Sequence, residues 1–143
     1  MACIGDAAAL SMDDLAVAAG GGDYAAALRV VDRLFLEGVS PIVVLRGLQR
    51  HFQRLHQAAA AVARGTSVDQ ALGGLKPPPH FRLAAAMRGQ LARWPLDRLA
   101  SALDLLVKTE IDGKTTGMPA QALCARAVLQ LTRAGGRRAG GRR

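Results

Sequence analysis

SPIVVLRGLQRHFQRLHQAAAAVARG, residues 40–65, organises this chain. Ser40 can cap a helix by accepting a backbone N–H, and Pro41 suits the first helical position, where its missing N–H costs nothing. Gly65 offers a left-handed stop. The 24 residues between them contain no Pro beyond the first turn, which makes a rod of roughly 36 Å at helical rise. Ile42, Leu45, Leu48, Phe52, Leu55, Ala59 and Val62 recur at steps of three and four and draw one apolar stripe. Arg46, Arg50 and Arg54 repeat at four-residue spacing on another face. A rod this long and one-sided must lie against other helices.

The neighbouring segments supply them. Ser11 with Asp14 three positions on reads as a capping-box-like start of a short helix to about Ala19, broken by Gly20–Gly22. Residues 1–9 read as the remnant of an upstream linker. Asp23 caps a helix over 24–37, with Tyr24, Leu28, Val31 and Phe35 on one face and Gly38 at its end. Ser67 and Gln70 repeat the capping logic for a short helix ending at Gly73–Gly74. Lys76–Pro77–Pro78–Pro79 is a stiff extended connector to a segment over about 80–93. Trp94–Pro95 breaks it, because the residue before Pro is pushed out of helical geometry. Leu96 through about Asp112 and a last segment opened by Pro119, with Leu123, Cys124, Ala127, Val128 and Leu131 inward, complete the set. No segment alternates with period two. The expectation is an all-α, compact bundle of about five to six helices occupying 10–134, followed by a disordered Arg/Gly-rich tail over 135–143.

Composition agrees. Half the residues are hydrophobic but aromatics are only 3%, so Ala and Leu carry the apolar content and favour helix over strand. No run of 18 apolar residues is present, and MACIGDAAALSMDD lacks the basic flank and long apolar block of a signal peptide. Cys3 and Cys124 make neither a metal nor a disulfide pattern, which points to a reducing, cytoplasmic setting. The net charge is +8. Residues 133–143, RAGGRRAGGRR, hold five Arg and no acid, leaving a mildly basic body at +3 (8 less 5).

Little in the chain suggests catalysis. Gly113–Lys114–Thr115 imitates the end of a phosphate-binding loop, yet position 108 is Lys where a Gly is needed, and helix precedes it where a strand is required. His51 and His56 stand about 140° apart around a helix, so they share no face as a metal-ligand pair would, and His80 stands alone. All three histidines read as surface or boundary residues. No cofactor, metal or small-molecule substrate is implied, and the fragment reads as no enzyme.

The order of features resembles the C-terminal domain of the delta subunit of the bacterial DNA polymerase III clamp loader. The likeness runs through Gly5–Asp6, Ser11–Met12–Asp13–Asp14–Leu15, Glu37–Gly38–Val39–Ser40–Pro41, Leu45–Arg46 and Arg50–His51–Phe52–Gln53–Arg54–Leu55. It continues through Pro77–Pro78 with Phe81, Gln90–Leu91 and Trp94, and ends at Lys114–Thr115–Thr116–Gly117, covering roughly residues 4–133. The resemblance implies a collar, in which helical domains of five loader subunits pack side by side into a ring. It implies gamma/tau-type and delta-prime-type subunits as partners, and a parent holoenzyme that is a DNA-directed DNA polymerase. It also implies an excised C-terminal domain, since the family's ATPase-like region has no counterpart here. His80–Phe81–Arg82 departs from the two aromatics and Lys common in the family, and the Arg/Gly tail goes beyond its pattern.

Two functions follow as expectations. The first is a protein-interaction module whose interface uses Leu103, Leu105, Leu106, Val107, Met118 and Val128, because four such neighbours on one helix cannot all face one small core. The alternative is a stand-alone nucleic-acid-binding module, with Arg46, Arg50, Arg54, Arg137 and Arg138 on phosphates. With so few aromatics there is no base-stacking platform, so sequence reading of a single strand is not expected; in the first reading DNA is an indirect partner at most. A membrane partner is not expected.

Overall fold

The computed structural model describes residues 2–115 and 117–136, with side chains from Leu10 onward, and among these it contains seven helices and no strand. They are α1 (Ala2–Gly20), α2 (Tyr24–Leu36), α3 (Pro41–Ala63), α4 (Val68–Gly73), α5 (Phe81–Arg93), α6 (Leu96–Lys114) and α7 (Ala120–Gly135). The all-α bundle expected from the sequence is what forms. The count exceeds the expected five to six, with the short α4 an element of its own.

The helix starts follow their caps. Asp23 accepts the Ala26 N–H at 3.1 Å, Ser40 that of Val43 at 3.2 Å, and Ser67 that of Gln70 at 3.1 Å. Each satisfies one of the N–H groups that a first turn leaves unpaired. At α5 the cap is His80, whose Nδ1 accepts from the Leu83 N–H at 3.3 Å. Ser11 is not a cap. It lies buried inside α1, because the helix already runs from Ala2.

α3 packs against each of the other six helices. Its buried residues are Val44, Leu45, Leu48, His51, Phe52, Leu55 and Ala58. The expected stripe is therefore rotated: Ile42, Ala59 and Val62 sit at its half-buried edge. On α2 the inward face is centred on Ala27, Val30, Val31 and Leu34, which leaves Tyr24 exposed. α6 runs antiparallel along α3, since Arg46 meets Glu110 near one end while Val62 and Ala63 share a cavity wall with Pro95 and Leu96 at the other.

Trp94 anchors the junction between α5 and α6. Its ring meets Phe52 edge-on, with centroids 4.9 Å apart at 69°, and its Nε1–H donates to Gly20 O at 2.8 Å. Such a buried indole needs both the apolar contact and the hydrogen bond. The Gly20–Gly22 turn does more than interrupt a helix: it docks on the end of α7. A Cβ on Gly22 (φ +83°) would stand 2.7 Å from Gly136 Cα, so only glycine permits this approach. The last carbonyls of α7 are met by guanidinium groups, Arg98 Nη1 at 2.8 Å from Ala134 O and Arg93 Nη1 at 3.0 Å from Gly135 O. Cations are favoured at that end by the helix dipole. Among the described residues, no helix is long and apolar enough to cross a membrane.

Candidate interaction surface

α6 buries Leu99, Ala102, Leu106 and Thr109 along one side. Leu106 is fully enclosed, and so is Val128 on α7. Both are withdrawn from the expected interface, because they already fill this domain's own core. Leu103 and Leu105 flank that core half-buried. Val107 faces outward at 46% exposure, and Met118, in the turn before α7, at 42%. Ile111 joins them at 61%. Ile111, absent from the expected interface, extends the four-residue step Leu103–Val107 by one more turn. The result is an apolar ridge along the outer side of α6 with no covering element among the described residues.

The ridge stands on a fixed base. Glu110 accepts from Gln49 Nε2 at 2.8 Å and from Arg46 Nε at 3.0 Å, and pairs with Lys114 Nζ at 3.0 Å. The Gln49 amide, the Lys114 ammonium and the Arg46 guanidinium hold its carboxyl down at about 2. Two α3 donors, Gln49 and Arg46, thus tie the outer seam of α3 and α6, while Lys114 pairs with the same carboxylate from within α6. Lys114 ends α6 beside this carboxylate, where its resemblance to a phosphate-loop lysine has no structural support.

The same contacts dismantle the continuous basic ridge expected along α3. Arg46 is committed to Glu110. Arg54 turns aside, donating from Nη2 to Pro77 O at 2.7 Å, and burial followed by the charge of Arg50 lowers its basicity. Arg50 is exposed and has no hydrogen bond or ion pair among the described residues. Arg137 and Arg138 lie outside the described residues.

Behind α3 lies a polar cluster that the sequence reading placed at the surface. His51 is buried, with Nε2 2.7 Å from Gln90 Oε1. The Gln90 amide donates from Nε2 to Ala16 O at 3.1 Å and Val17 O at 3.3 Å. Its oxygen must then be the acceptor, so His51 Nε2 carries the proton and donates. Burial pushes this imidazole down to about 4, against the opposing pull of the Gln90 bond. His51 is a neutral structural link between α3, α5 and α1. The Cys124 thiol, buried in α7, is pushed up to about 12 and is correspondingly unreactive. Among the described residues, no group of three His, Cys, Asp or Glu is placed to hold a metal ion.

Comparison with known proteins adds one finding. Residues 14–131 match the family described as the DNA polymerase III delta subunit, C-terminal domain. No curated protein matches the chain. No solved structure matches it either.

Proposed function

The chain belongs to the family formed by the C-terminal domain of the DNA polymerase III delta subunit, and from that membership we propose that it is the collar domain that holds a delta subunit in the clamp-loader complex. The observation that carries the reading is the uncovered apolar ridge of Val107 and Ile111 on α6, continued by Met118 in the turn that follows, on a helix tied to α3 through Glu110. Isolated apolar side chains are ordinary on a surface, but an ordered row along one helix suits burial against another protein. A stable contact takes on the order of 800 Å² per partner. The half-buried Leu103, one turn before Val107, extends the ridge toward that size, whereas Leu105 stands on the opposite flank of α6. In this reading the partners are loader subunits of the gamma/tau and delta-prime type, the setting is cytoplasmic, and the domain performs no reaction itself.

Co-elution tests it. The chain mixed with the other loader subunits should travel with them on size exclusion. Val107→Asp combined with Ile111→Asp should abolish this while the helical spectrum and melting stay unchanged, because both side chains point to solvent. Co-elution undiminished by the pair of charges would remove α6 from the interface.

A further inference from the structure

We propose that the cleft between α1, α3 and the triple-proline connector is a binding site for a phosphate group, held by the guanidinium groups of Arg50 and Arg54. The cleft encloses about 400 Å³, and Asp13, Arg50, Arg54, Pro77–Pro79 and His80 stand in its walls. It lies on the α1 flank of α3, and no residue of α6 lines it. Occupation of the α6 ridge by another protein therefore leaves it open, and the inference does not depend on that reading.

The charges of the cleft are unevenly matched. Asp13 supplies its one carboxylate, and that group is engaged by His80: with Nδ1 capping α5, the proton resides on Nε2, which donates to Asp13 Oδ2 at 3.0 Å. Two guanidiniums one helical turn apart remain. Arg54 is held in place through one Nη2–H on Pro77 O, which orients its remaining N–H groups. Arg50 has no partner among the described residues. Burial and then the like charge of Arg50 lower the basicity of Arg54, with the Asp13 carboxylate opposing them. Three successive prolines contribute no N–H, so recognition falls to side chains, and their rings form a low-dielectric wall that strengthens the field of the two cations. A planar guanidinium pair suits the oxygens of a phosphate better than any neutral ligand. The phosphate could belong to a nucleic-acid backbone or to a free anion, which share this chemistry.

The test is an NMR titration of the full 143-residue chain, following the arginine Nε–H signals and the His80 ring. Inorganic phosphate is the first probe and a mixed-sequence 12-nucleotide single-stranded DNA the second. Shifts at Arg50 and Arg54 are expected, with affinity about tenfold weaker in Arg50→Gln. For the oligonucleotide, the slope of log affinity against log salt should fall by about 0.7 in that variant. Equal affinity for both probes identifies a free anion as the ligand, and a much tighter oligonucleotide identifies the backbone. The exposed, unpartnered Arg50 can be replaced without loss of fold, which an unchanged melting curve checks. Absence of shifts at both arginines, or identical binding by wild type and Arg50→Gln, overturns the assignment.

Discussion

Acidification from pH 7 to pH 5 should destabilise the chain by about 2 kcal/mol through the single buried residue His51. Its ordinary value is 6.5, and burial lowers it to about 4 in the folded chain. Between those values the unfolded state binds a proton that the folded state refuses, so stability rises with pH across the window and falls on acidification. The loss reaches about 3 kcal/mol once the pH passes below 4, where both states are protonated. Against a total stability of about 5–15 kcal/mol this is a large share. A chain of 143 residues has an unfolding entropy near 0.3 kcal/mol/K, so the pH 5 effect corresponds to about 7 °C in Tm. The assay is thermal unfolding followed by far-ultraviolet circular dichroism at pH 7 and pH 5, on wild type and His51→Gln. Glutamine can still donate to Gln90 but does not titrate, so the difference between the two proteins isolates His51. Parallel profiles for the two proteins would refute the reasoning.

Two further predictions concern the frame around the site. Glu110 is held down at about 2, so its contribution is present above its ordinary value of 4.5 and is lost as the pH falls from there toward 2. Glu110→Gln should melt lower than wild type at neutral pH and should lack this acid-side decline; equal declines in both proteins below pH 4.5 would contradict the role of the Glu110 carboxylate in the seam. Gly22 and Gly38 both adopt positive φ, at +83° and +90°, yet a Cβ meets Gly136 backbone only at Gly22 and nothing within 4 Å at Gly38. Gly38→Ala should cost about 1–2 kcal/mol for its backbone alone, and Gly22→Ala about 1–3 kcal/mol more for the clash. Urea unfolding of the pair measures the difference, and equal midpoints would remove the docking of the turn on α7.

The helix boundaries were legible where local chemistry sets them. Asp23, Ser40 and Ser67 cap the helices they were expected to cap, because capping depends on residues within one turn. The start of α1 was not, since its alanines and glycines carry no stop and the Ser11–Asp14 spacing imitates a cap inside the helix. The phase of α3 was legible to about a tenth of a turn. A helix contacted by six others is covered on more than one side, so no single stripe defines its inward face. His51 was misread because its partner, Gln90, lies 39 residues away. The Arg46–Glu110 pair spans 64 residues and was equally hidden, whereas Glu110 and Lys114 stand at the four-residue spacing that local reasoning can see. At the surface, an excess of leucines on α6 signalled an outward face, but which of them turn out depends on the packing of α3 and α7 against it.

Hydrogen–deuterium exchange of the free chain and of the chain within a reconstituted clamp loader locates the face of the domain that its partners cover. Slowed exchange confined to α6 and the turn through Met118, with α1 and α5 unchanged, is the predicted result. Protection confined to α1 and α5, or none anywhere, would contradict it.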